Sequence, residues 1–200
     1  KVIIRENMDN WTKVKTEDAY IGYVENKRLI NTTEETPIGV TDYKEPTYTN
    51  ITKSYKINMA WHVVAGAAGN STLSSLMANT KSVNTVSPTW FSLKDNGGDI
   101  TSFATSDYVS QAHNMGLEVW ALVDNFSNKD VDSYEVLSHA QSRANLISQL
   151  MNQVSQYGLD GINVDFENIS EECGQSFIEF IRELSIACRA QQVVLSVDNY

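Results

Sequence analysis

The stretch "YGLDGINVDFENIS", residues 157–170, decides how this chain is read. Asn163, Asp165 and Glu167 recur at every second position, interleaved with Ile162, Val164 and Phe166. Residues i, i+2 and i+4 of a β-strand share one face, and the intervening residues take the other. The spacing predicts a strand over 161–168 with an apolar face to bury and a second face bearing an amide and two carboxylates. Burying charge without a partner is costly. That second face therefore either meets water or is kept for chemistry.

Working outward, residues 56–200 alternate between strand and helix patterns. "KINMAWHVV" (56–64) reads as a strand and "STLSSLMANT" (71–80) as a short helix. "SVNTVSPTWFSL" (82–93) is a second strand in which Pro88 marks a bend or an edge. "GGDITSF" (97–103) is a hairpin excursion, and "SDYVSQAHNMG" (106–116) a helix capped by Ser106 and closed by Gly116. "LEVWALVDN" (117–125) is the third strand. One long helix follows, with Leu137, Ala140, Ala144, Ile147, Met151 and Val154 at helical spacing and Gly158 as its stop. After the 161–168 strand a helix opens at Ser170 and buries Phe177, Ile181, Leu184 and Cys188, and "VVLSVDNY" (193–200) is the fifth strand.

Repeated βα units with apolar strands imply a parallel sheet covered by helices. An open doubly wound sheet and a (β/α)8 TIM-type barrel both fit. No glycine-rich dinucleotide-binding turn follows the first strand, which disfavours the former. In a barrel, catalytic groups stand at the C-terminal strand ends. Three strands end in polar pairs, at Asp124–Asn125, Asp165–Glu167 and Asp198–Asn199, which favours an α/β barrel with an active mouth.

Residues 1–30 alternate with period two and break at "ENMDN" and "TEDA", the pattern of three short strands in a small β module. Residues 31–55, rich in Thr, Glu, Pro and Asn, read as a linker. The net charge of −10 argues against nucleic acid and anionic membrane surfaces as partners, and no apolar run reaches the roughly 20 residues of a membrane-spanning helix. Cys173 and Cys188, on one helix, lie about 22 Å apart at 1.5 Å per residue. They are too distant to pair, and Cys188 reads as a core residue. His62 reads as a satisfied core histidine and Asp160 as structural. No metal constellation and no cofactor are expected.

"DGINVDFE" (160–167) closely resembles the DGxDxDxE signature of glycoside hydrolase family 18, in which it lies on the fourth strand of a (β/α)8 barrel. Asp160, Gly161, Asp165 and Glu167 match; Asn163 departs, where many chitinases carry Asp. "SPTWFSL" and "DGINVDFENI" resemble the spore-cortex and cell-wall N-acetylglucosaminidase branch, and "WTKVKTEDAYIGYV" resembles part of a bacterial Src-homology-3-like module. The resemblance implies a retaining glycoside hydrolase that cleaves β-1,4 bonds of N-acetylglucosamine-containing glycans, peptidoglycan or spore cortex, through an oxazolinium intermediate formed by the substrate's own acetamide. Glu167 is then the proton donor, kept protonated by the carboxylate beside it. Asp165 orients the acetamide, and Asn163 donates to Asp165. A chitinase, or a non-catalytic glycan-binding protein on the same barrel, is the alternative; such binding proteins usually lose the terminal Glu that stands here as Glu167.

Asp124, Asn125 and Tyr200, at strand ends, are candidate glycan-binding residues, and Trp90 either floors the sugar site or is a core tryptophan. The resemblance also implies a cell-wall peptide contact through the N-terminal module, and a location outside the cell or at the envelope or spore. Residues 56–200 hold five strands, against eight strands and about 250 residues in a full barrel. The expectation is a truncated barrel, the first five βα units, with poor hydrolysis by this polypeptide alone.

Overall fold

The structure, a computed structural model, describes residues 1–16, 20–34, 36 and 51–198. The chain divides into two compact units, Lys1–Thr49 and Asn50–Tyr200. Most of the stretch read as a linker lies outside the described residues.

In the first unit, β1 (Val2–Asn7), β2 (Trp11–Thr16) and β3 (Ile21–Glu25) form an antiparallel sheet in that order. Thr12 and Val14 of the central strand are its buried residues. Asn26 ties the turns together: its amide donates to the carbonyls of Met8 and Asp9 and its Oδ1 accepts from the Thr12 hydroxyl at 2.7 Å.

The second unit runs β4 (Met59–His62), α1 (Leu73–Ala78), β5 (Thr85–Leu93), β6 (Ile100–Ser102), α2 (Ser106–Asn114), β7 (Glu118–Asp124), α3 (Ser133–Ser138), α4 (Ala140–Tyr157), β8 (Gly161–Asp165), α5 (Glu171–Ala190) and β9 (Val194–Val197). Strands β4, β5, β7, β8 and β9 are parallel and lie side by side in chain order; β6 pairs antiparallel with the end of β5. A doubly wound sheet reverses its strand order at a switch point. No reversal occurs here, so the order is that of successive barrel units. The sheet is open, with β4 and β9 at its edges. Among the described residues no helix is long and apolar enough to cross a membrane.

Alternation sorts the strand residues. Val119, Ala121, Val123, Ile162 and Val164 join a core with Tyr108, Ala112, Leu146, Leu150, Phe180, Leu184 and Cys188 from the helices. Ser87, Asp124, Asn163 and Asp165 take the other face. Gly161 is required there: a Cβ would stand 2.9 Å from the Trp120 ring and from the Val194 carbonyl.

Several expectations are corrected. Pro88 lies within β5 between two parallel neighbours, opposite His62, just before the β5–β7 register slips between Thr89 and Phe91. The slip is a bulge, which accommodates the missing proline N–H in a central strand. The cap of α2 is Thr105, which accepts from the Tyr108 N–H; Ser106 is already helical. The expected long helix is two, because His139 is extended (φ −100°, ψ 122°). The restart moves the buried stripe of α4 to Ser142, Arg143, Leu146, Leu150, Met151 and Val154, leaving Ala140 and Ala144 exposed. Gly158, left-handed at φ +69°, does end α4.

Two polar groups expected to be structural are so placed. His62 sits between the Tyr108 hydroxyl and Thr72 Oγ1, each 2.8 Å from a ring nitrogen. Asp160 Oδ2 accepts from the Val119 N–H and from His113 Nε2, each at 2.8 Å, stapling the start of β8 to α2 and β7.

Candidate active site

Strand β8 sends Ile162 and Val164 into the helix-covered core and Asn163 and Asp165 to the opposite face. Phe166 continues the alternation one residue past the strand: its ring stacks on Phe180 with centroids 5.6 Å apart. Anchoring Phe166 in the core leaves Glu167 on the side of Asp165, half-buried at the strand tip. The strand ends at Asp165, earlier than the expected 168, because the Glu167 peptide groups are satisfied by a side chain. Asn125 Oδ1 accepts from the Glu167 N–H at 2.8 Å, and Asn125 Nδ2 donates to the Glu167 carbonyl at 2.9 Å. Asn168 then turns the chain with φ +53°, and Ser170 caps α5 by accepting from the Cys173 N–H.

Asn163 is fully buried and makes three bonds. Its Nδ2 donates to Asp198 Oδ2 at 2.9 Å and to Ser87 Oγ at 3.3 Å, and its Oδ1 accepts from Ser196 Oγ at 2.6 Å. The expected donation to Asp165 is therefore replaced by donation to Asp198: the N–H groups are committed to Ser87 of β5 and to Asp198, just past the end of β9. Asp198, a strand-end residue not among the candidate site residues of the sequence, is thereby tied to the site. Its place two residues beyond Ser196, on the same strand face, is the signal that marks it.

Burial pushes the Asp165 carboxyl above the ordinary carboxylate range, and the charges of Asp198, Glu167 and Asp124 push it further the same way. Four carboxylates thus gather at the ends of three neighbouring strands, and the other three oppose the ionisation of Asp165.

The remaining candidates separate. Asp124 is 5% exposed, and its oxygens accept from the N–H groups of Phe126 and Ser127 and from Ser127 Oγ, so it shapes the loop after β7. Asn125 turns its amide to Glu167 and to Ser133 Oγ at 2.8 Å. Trp90 is the core tryptophan: it is 1% exposed, donates to Asn70 Oδ1 at 2.7 Å and meets Tyr108 edge-on. It is the bulged residue of β5, since Thr89 and Phe91 pair with consecutive residues of β7. Trp90 keeps the face of Val86, four residues earlier, and the bulge turns Phe91 to the helix layer as well. Tyr200 lies outside the described residues. Beside Glu167, a cleft of about 470 Å³ opens between the β7–α3 and β8–α5 loops, lined by Asn125, Lys129, Tyr134, Glu167 and Asn168 among others. Among the described residues no cluster of His, Cys, Asp and Glu is arranged to hold a metal ion.

Comparison with curated proteins returned no match. Among solved structures, a chitinase from Chromobacterium violaceum superposes with a TM-score of 0.57 at 20% identity, over 70% of this chain and 44% of that one. The spore cortex-lytic enzyme SleL of Bacillus megaterium gives 0.59 at 15% identity, over 72% and 35%, and a chitinase from Bacteroides thetaiotaomicron 0.57 at 15%, over 71% and 46%. At such identities the likeness speaks for the fold, and the chain spans less than half the length of each. The family described as Glycosyl hydrolases family 18 matches residues 21–198. That match takes in every described strand of the parallel sheet and both carboxylates at the tip of its fourth strand, and the chain belongs to this family.

Proposed function

We propose that the protein is a retaining hydrolase of β-1,4 bonds in N-acetylglucosamine-containing glycans, with peptidoglycan or spore cortex as the substrate, and that Glu167 and Asp165 carry the chemistry. The observation that carries this reading is the pair of carboxyls at one strand tip, with Asp165 raised by burial and by neighbouring negative charge. Glu167 donates a proton to the glycosidic oxygen as the C1–O bond breaks. The acetamide oxygen of the same sugar attacks C1, giving a cyclic oxazolinium ion and a free alcohol. Asp165 accepts a hydrogen bond from the acetamide N–H and faces the positive charge as it forms. An anion at 165 is disfavoured in the empty site and favoured beside that charge, so the interaction is stronger in the transition state than in the ground state. Water then attacks C1, Glu167 takes its proton, and the β-configuration is retained.

A spore-wall or cell-wall setting outside the cytoplasm fits this substrate, and the N-terminal β module, read as Src-homology-3-like, would contact wall peptide. The test sets purified peptidoglycan and chitin oligomers side by side with the full-length protein. Release of N-acetylglucosamine ends from peptidoglycan is the expected result; turnover of chitin oligomers alone would make the protein a chitinase. Glu167→Gln is expected to lower kcat at least ~100-fold, the scale of general-acid loss, with glycan binding still measurable. Near-normal turnover of a substrate with a poor leaving group would remove Glu167 from the acid role.

A further inference from the structure

We infer that Asn125 is the positioning residue of the acid: its side-chain amide clasps the backbone of Glu167 and sets where the carboxyl points. The role rests on reading Glu167 as the proton donor. The primary amide presents a donor and an acceptor side by side, the complement of a peptide N–H and C=O pair. Asn125 uses both on one residue, 42 positions away, at 2.8 and 2.9 Å. Its orientation is fixed by these partners, since a flipped amide would set donor against donor and acceptor against acceptor. The second N–H donates to Ser133 Oγ at the start of α3, so each donor of the amide has a partner.

The clasp sits where the chain most needs it. At Glu167 the backbone has left β8, and Asn168 is left-handed at φ +53°. A residue held there by sheet hydrogen bonds would stay in line with the strand. The Asn125 amide instead stands in for a strand neighbour at this one peptide, while Phe166 is pinned behind it in the core. The loop bearing Asn125 is itself fixed, by the Asp124 carboxylate accepting from Phe126 and Ser127. Two strand-end residues thus act in series: Asp124 shapes the loop, and Asn125 hands its geometry to Glu167. A general acid must meet the glycosidic oxygen at hydrogen-bond distance, and displacement of about 1 Å costs on the order of 100-fold in rate.

The test uses the full-length protein. Hydrogen exchange reads the clasp without reference to activity. Asn125→Ala is expected to speed exchange at the Glu167 amide by at least tenfold, the equivalent of about 1.4 kcal/mol, and to leave the Ile162 and Val164 amides of β8 unchanged. Asn125→Asp, which keeps the acceptor for the Glu167 N–H but sets a second acceptor against the Glu167 carbonyl, is expected to protect that amide less than the parent and more than Asn125→Ala. Kinetics then read its consequence. Asn125→Ala is expected to lower kcat at least tenfold on glycosides with a poor leaving group and by less than threefold on a nitrophenyl glycoside that departs without protonation, at unchanged KM. Unaltered exchange at Glu167 in Asn125→Ala would overturn the clasp, and equal kinetic losses on both substrates would overturn its action through the acid. A Glu167→Gln variant lacking this leaving-group dependence would instead overturn Glu167 as the acid, while the exchange result would still decide the clasp.

Discussion

Position 163 shows how one atom redirects a site. An aspartate there would have the shape of Asn163 but neither N–H, and it would set a carboxylate against Asp198, whose Oδ2 now lies 2.9 Å from the Asn163 amide. Two carboxylates in such contact share a proton rather than both ionise. Asn163→Asp is therefore expected to destabilise the protein by about 1–3 kcal/mol at pH 7, the cost of unsatisfying buried partners, and to add a titration step to the pH–rate profile. Pairing it with Asp198→Asn restores one donor and one acceptor and is expected to recover much of the loss. Denaturant unfolding of the two variants decides this, and a single variant as stable as the parent would refute the contact. The strand rule was enough to put residues 163, 165 and 167 on one side. It could not tell which partner the amide takes, because Asp198 is 35 residues away on another strand. Trp90 stands four residues on from the core residue Val86, so plain alternation already puts it in the helix layer; the bulge acts on Phe91, which alternation counted along the sequence would send to the other face.

Among the elements, the break between α3 and α4 was the feature least legible in the sequence. Apolar spacing from Leu137 to Val154 reads as one helix, since nothing at His139 is a helix breaker by type. The structure supplies the cause from afar. Arg143, 3% exposed in the first turn of α4, donates from Nη1 to the Leu137 carbonyl at 2.6 Å, taking a backbone acceptor near the end of α3. Its Nε and Nη2 meet the two oxygens of Glu183 on α5, each at 3.2 Å. One guanidinium thus joins three helices in a geometry that an ammonium cannot copy. Arg143→Met is expected to cost about 3–5 kcal/mol, as removal of one partner of a buried ion pair does, and Arg143→Lys is expected to recover less than half of it. Chemical denaturation measures both, and full recovery by lysine would show that charge alone matters at this joint. By contrast the parallel strands were legible as elements, because each is a short apolar run closed by turn residues. Their order in the sheet followed from the barrel reading, which sets successive strands side by side, and the pairings agree with it.

Across the whole molecule the ionisable groups divide by the sign of their link to folding. Burial lowers the pKa of His62, which is held neutral between Tyr108 and Thr72. The stability tied to it is present above the ordinary histidine value of about 6.5 and is lost as pH falls through the lowered folded-state value. Asp99, held below the ordinary range by hydrogen bonds from Asn145 and Gln149, acts in the same direction at lower pH. So does Glu118: burial pushes its carboxyl up, but bonds from Lys53, Tyr55 and Trp120 together bring it below that range. Asp165 opposes them. Its pKa is raised on folding, so the stability tied to it is present below the ordinary aspartate value of about 3.9 and is lost as pH rises through the raised value. The protein is therefore expected to melt at lower temperature on going from pH 7 to pH 5, and His62→Gln, which keeps a donor and an acceptor without titrating, is expected to flatten that fall. Asp165→Asn is expected to do the reverse of a typical active-site loss, abolishing catalysis while raising the melting temperature at pH 7. Well below the ordinary value of about 3.9 wild type and variant are expected to converge, because Asp165 is then protonated in the folded and unfolded chain alike. A variant that melts lower than wild type at pH 7, or a difference that persists well below that value, would mean that the carboxylate at 165 is held by attraction rather than against repulsion.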